Sequence, residues 1–95
     1  MIIRRNYRAC LDKAGLEKDM EAAIKSAIAR DKERVSEAVT EHRCLTVAMY
    51  QHENMLFLYM EALEKDLEPA ALFPELSKLL LPWPQKDGLK YWARM

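Results

Sequence analysis

The sequence has no surplus of either charge: fifteen Lys and Arg balance fifteen Asp and Glu over 95 residues. A basic surplus is what draws a chain to nucleic acid or to an anionic membrane surface, so neither partner is expected. Long apolar runs are missing too, and none approaches the ~20 residues that a membrane-crossing helix needs. The opening MIIRRNYRAC lacks the order of a secretory signal, in which positive charge precedes a long apolar core. Cysteine is scarce. Cys10 and Cys44 lie far apart and form no C-x-x-C ligand pair. Free thiols, no metal, no organic cofactor and a cytoplasmic location are therefore expected. No internal repeat and no low-complexity stretch is present.

What is there suffices for one domain, residues 1–95. A chain of this size buries only about two-thirds of its unfolded surface. Solubility is poor at zero net charge, which favours a protein that hides its most apolar face in an oligomer.

Ile2 to Leu11 reads as a strand: Ile3, Tyr7, Ala9 and Leu11 alternate with Arg4, Asn6, Arg8 and Cys10, with Arg5 out of place on the apolar side. Gly15 separates it from a long helical segment. There Leu16, Met20, Ala23, Ile24, Ala27, Ile28, Val35, Ala38, Val39 and His42 recur at spacings of three and four, while Glu17, Lys18, Glu21, Lys25, Arg30, Lys32, Glu33 and Glu37 make a solvated face. Asp31 falls where this stripe calls for an apolar residue. A break or simple exposure near ARDKERV is the expectation, and a turn of Asp31 towards a polar site is the alternative.

The stretch CLTVAMYQHENMLFLYMEAL, Cys44 to Leu63, alternates twice around a polar knot, Gln51-His52-Glu53-Asn54. Leu45, Val47 and Met49 make one face, and Thr46, Ala48, Tyr50 and His52 the other. After the knot, Leu56, Leu58, Met60 and Ala62 alternate with Met55, Phe57, Tyr59 and Glu61. Two-fold alternation on both sides of a short connection predicts a β-hairpin rather than two helices. A second helix is expected from Asp66-Leu67-Glu68-Pro69 through the stripe Leu72, Phe73, Leu76, Leu79 and Leu80, restarted or kinked at Pro74 and ended by Pro82-Trp83-Pro84. Asp87-Gly88 reads as a turn, and LKYWARM as a short strand or an aromatic-rich turn.

The order strand, helix, strand, strand, helix, strand predicts an α+β fold: a ferredoxin-like βαββαβ domain with an antiparallel sheet. Its usual strand order sets the first strand beside the third and the second at an edge. Cys10 and Cys44 are then too far apart for a disulfide. Both helices must cover one face. The other face gathers Arg4, Asn6 and Arg8, then Thr46, Tyr50 and His52, then Phe57, Tyr59 and Glu61. That mixture is too aromatic for plain solvent and too polar for a dry core. It suits a concavity whose second wall is another copy of the sheet, a homodimer through the sheet face.

This arrangement resembles the dimeric α+β barrels. Over Glu37 to Glu61, EAVTEHRCLTVAMY followed by NMLFLYME is similar to the L-rhamnose mutarotases, in the end of the helix, in the strand ending Met-Tyr and in the strand after it. The proline-punctuated tail after the second helix also fits. The resemblance implies an isomerase that interconverts sugar anomers by opening and reclosing the ring, with acid and base groups in a cavity between two sheets. Family members use a strand tyrosine, which falls on Tyr50, a helix histidine and a tryptophan pair. SAIARDKERV offers no imidazole, and Phe73 is nearest to the tryptophan pair.

Tyr50, His52 and Glu61 are the candidate catalytic residues, as hydroxyl, imidazole titrating near neutrality and strand carboxylate. Arg4, Asn6, Arg8, Tyr59, Trp83 and Trp92 are the candidate ligand-binding residues, Arg4 and Arg8 as holders of an anion or as cross-strand partners of Glu61. His42 is read as a favourable charge at a helix end. The ligand expected is a small polar molecule of monosaccharide type. Two other classes stay open: a binding module without catalysis, and a purely dimerising one.

Overall fold

The computed structural model describes residues 1–12, 20–85 and 88–95. Gly15, Leu16, Glu17, Lys18 and Asp87 lie outside the described residues. The elements run β1 (Ile3–Cys10), α1 (Met20–Thr40), β2 (Cys44–His52), β3 (Met55–Ala62), α2 (Pro69–Leu72), α3 (Pro74–Ser77), β4 (Trp83–Gln85), β5 (Gly88–Lys90) and β6 (Ala93–Arg94). Four strands make one antiparallel sheet in the order β2-β3-β1-β6, and β4 pairs with β5 in a separate ribbon.

The period-two pattern of β3 is obeyed residue by residue. Leu56, Leu58, Met60 and Ala62 are buried, while Met55, Phe57, Tyr59 and Glu61 are half-buried on the opposite side. Opposite them in β1, Tyr7 and Ala9 turn inward, followed by Leu11, and Arg4, Asn6 and Arg8 face out. The inward residues join Ile24, Ala27 and Ala38 of α1 and Leu72, Phe73 and Leu76 of the short helices in a single apolar cluster. Among the described residues, helices therefore cover one side of the sheet and none lies on the other. Arg5 shares the covered side, and its Nη1 is buried with no partner among the described residues.

Four expectations need correction. The alternation of β2 slips at its start, because Cys44 pairs with Ala62 and Thr46 with Glu61, leaving Leu45 as the extra residue of a bulge. A bulge shifts the side-chain parity by one. Cys44 thereby enters the core and Leu45 is exposed, while Val47 and Met49 keep the inward face.

The long helix neither breaks at Asp31 nor exposes it. Asp31 is completely buried, and its two oxygens accept the backbone N–H groups of Glu75 and Leu76, each at 3.0 Å. These are the second and third residues of α3, whose N-cap position is held by Phe73, a side chain with no acceptor. The first-turn donors of a helix need an acceptor, and α1 supplies it from 44 residues away.

The second helix restarts at Pro74 as expected, giving two four-residue helices with Phe73 between them at φ −127°, ψ 58°. But it ends at Ser77, before Pro82-Trp83-Pro84, and Trp83–Gln85 form a strand. Pro74 opens α3 and cannot continue α2, because it has no N–H to give.

Val39 lies off the buried stripe. The end of α1 is a closed cap: Arg43 N–H donates to Ala38 O at 2.8 Å and His42 N–H to Val39 O at 3.1 Å. His42 takes φ 59° at the position where glycine is usual. Glu53 likewise takes φ 54° in the two-residue loop joining His52 to Met55. Beyond α3 the chain returns along β1, with Leu81 N–H on Cys10 O and Asp12 N–H on Leu79 O. The segment read as LKYWARM then supplies β6, which zips onto β1 at Tyr7 and Arg8.

Candidate functional site

Strand register sets the uncovered face out in rows. Thr46, Glu61 and Arg4 share one row; Ala48, Tyr59 and Asn6 the next; Tyr50, Phe57 and Arg8 the third; His52, Met55 and Cys10 the last. The row containing Glu61 is the most tightly bonded. Tyr59 Oη donates to Glu61 Oε2 at 2.8 Å, and Arg4 Nε donates to the same oxygen at 3.3 Å. The hydrogen bond from Tyr59 holds the Glu61 carboxyl below the usual carboxylate range, with further help from the Thr46 side chain and the Arg4 charge. The same hydrogen bond pushes the Tyr59 phenol above its ordinary value. At neutral pH the pair is thus a carboxylate held ionised, and a weaker base for that, next to a phenol that keeps its proton. The ion pair itself adds little, since the Arg4 side chain is 65 % exposed.

The three candidate catalytic side chains do not converge within one chain. Four residues along a strand separate the Tyr50 row from the Glu61 row, about 13 Å at 3.3 Å per residue. His52 lies one row farther, exposed at the hairpin end. Tyr50 is 66 % exposed. Cys44 is no rival nucleophile, because burial pushes its thiol up. Both cysteines are unbridged, at opposite ends of strands that β3 keeps apart.

The candidate tryptophans sit elsewhere. Trp83 and Trp92 line a cleft of about 720 Å³ on the β6 side of the sheet, together with Tyr7, Pro69 and Tyr91. Arg8 leans over the Trp83 ring, 5.6 Å from its centroid, which links the uncovered face to this cleft. Trp92 is mostly core: it is 6 % exposed, and its Nε1–H donates to Ser77 Oγ at 3.1 Å. Sequence reasoning took Tyr7 for a core residue of the apolar stripe, and its hydroxyl was the one sign of another use. Among the described residues, no group of three or more His, Cys, Asp or Glu is placed to hold a metal ion, and no helix is long and apolar enough to cross a membrane.

Compared with family models, curated proteins and solved structures, the chain matches none. Fold and contacts define a small α+β protein, with a four-stranded antiparallel sheet covered by helices on one side.

Proposed function

We propose that the chain works as a homodimer of ferredoxin-like subunits, which pack their uncovered sheet faces together and hold a small polar molecule of monosaccharide type between them. The strand order β2-β3-β1-β6 supports the ferredoxin-like reading, with the first strand between the third and the last and the second at the edge. The observation that carries the proposal is the bonded set Arg4–Glu61–Tyr59 on a face that also leaves Phe57 half-buried and Tyr50 exposed. A charged acceptor with aromatic walls is what a polyol needs, hydrogen bonds for its hydroxyls and a flat surface for its C–H face. A two-fold axis across the Ala48–Tyr59–Asn6 row lays Tyr50 of one protomer over the Glu61 row of its partner. The pocket is then complete only in the dimer. Unbridged cysteines fit a reducing compartment such as the cytoplasm.

A mutarotase-type reaction is the second reading, supported by an ionised carboxylate, Glu61, on the face that also carries Tyr50. Glu61 takes the proton of the anomeric hydroxyl while an acidic hydroxyl from the partner protonates the ring oxygen. The bond between the anomeric carbon and the ring oxygen breaks, and reclosure on the other face gives the other anomer. Saturation-transfer NMR on equilibrating monosaccharides tests it, with Tyr50→Phe and Glu61→Gln alongside. Binding without faster exchange leaves the non-catalytic dimer. If the chain neither binds a monosaccharide nor forms a dimer, the proposal falls.

A further inference from the structure

We propose that the cleft on the β6 side is a second binding site, independent of the sheet-face dimer, for a small aromatic carboxylate. Two polar groups of the cleft wall are buried with no partner among the described residues: Tyr7 Oη and Trp83 Nε1. Tyr7 is 2 % exposed, so bulk water does not serve its hydroxyl. A buried donor without an acceptor is unfavourable, and native proteins leave few of them. Two on residues that line one cleft make it the place where an occupant's oxygens would gain most, reached as the wall side chains shift, because neither atom is open to water here. The indole N–H only donates and the phenol donates or accepts, so the occupant must bring acceptor atoms.

The rest of the wall specifies the remainder of the ligand. Tyr91, Trp92 and Pro69 add flat apolar surface, enough for one ring. Lys90 and Arg94 stand against Glu68, one positive charge in excess among the described lining residues. Glu68 and Arg94 approach only to 3.9 Å, both more than half exposed, so Arg94 is weakly engaged and can turn to an incoming anion. A monosaccharide fits less well, because it presents more hydroxyls than the two unpartnered groups and the charged rim can satisfy. The sequence holds the two aromatic sides of this cleft far apart, Tyr7 in β1 against Trp83 through Arg94 at the other end.

The test uses the two tryptophans as separate reporters. Benzoate, neutral benzamide and glucose are titrated at millimolar concentration into the full ¹⁵N-labelled chain, the indole N–H signals being assigned with Trp83→Phe. Benzoate is expected to move the Trp83 signal downfield and the Trp92 signal less, since the latter N–H already serves Ser77. Benzamide is expected to bind at least about tenfold more weakly, as loss of a charge-assisted contact implies. Tyr7→Phe should weaken benzoate roughly five- to tenfold through one lost hydrogen bond. Its melting temperature should be unchanged or higher, because the hydroxyl removed has no partner among the described residues. Lys90→Gln, a surface change, should weaken benzoate without altering the fold. A Trp83 signal that benzoate leaves in place overturns the site. Equal shifts from benzamide or glucose overturn the anion assignment, and unchanged affinity in Tyr7→Phe overturns the role of that hydroxyl.

Discussion

At the scale of single residues, Glu61 and His42 make opposite kinds of claim. Glu61 is held ionised by the Tyr59 hydroxyl, so its folded carboxyl titrates lower than in the unfolded chain. A depressed carboxyl contributes stability that is complete above the unfolded value, about pH 4.3, and lost as pH falls through the folded value. Thermal melts from about pH 6 down to about pH 2 should therefore fall less steeply in Glu61→Gln than in the natural chain. Parallel curves would mean that the Tyr59 contact does not persist in solution. Tyr59 has the reverse sign: its raised value gives stability present below the ordinary phenol range and lost on the alkaline side. His42 instead occupies a left-handed position at φ 59°, where a Cβ is unfavourable. His42→Gly should stabilise by about 0.5–1 kcal/mol, seen as a melting temperature higher by a few degrees.

At the scale of elements, α3 depends on α1. Four residues cannot hold a helix by themselves, and Phe73 offers its first turn no acceptor. Asp31 provides both oxygens from the middle of a 21-residue helix, so one side chain joins two elements. Asp31→Leu keeps the apolar periodicity of α1 and leaves two N–H groups unpaired, that of Leu76 buried and that of Glu75 partly so. It should destabilise by about 2–5 kcal/mol in denaturant melts. Asp31→Asn, which retains one acceptor, should lose less. If Asp31→Leu proves neutral, the helix stripe alone was sufficient and the cap idle. Periodicity made this position visible as a misfit, but it could not name Glu75 and Leu76 as the reason.

At the scale of the molecule, the unresolved demand is the uncovered face, with Phe57 half-buried at its middle and Tyr50 exposed beside it. In the proposed dimer, Phe57→Arg puts a charge in the third row and should convert it to a monomer in sedimentation or light scattering, with the melting temperature of the single subunit little altered. A natural chain that is monomeric at high micromolar concentration would remove the second wall, and with it the shared pocket.

The sequence by itself determined the faces of β1 and β3, the hairpin at Glu53–Asn54, the wet and dry sides of α1 and the restart at Pro74. Those properties depend on spacings of two, three and four residues, or on the fixed dihedral of proline, and the local chain carries them. Only the tertiary structure decided that Asp31 caps α3, that Leu45 bulges out of β2, and that Trp83 and Tyr7 share a cleft while Tyr50 and Glu61 stand rows apart. Each of these joins residues distant in the chain, or turns on how one strand registers against another. No period within a single segment encodes such a pairing.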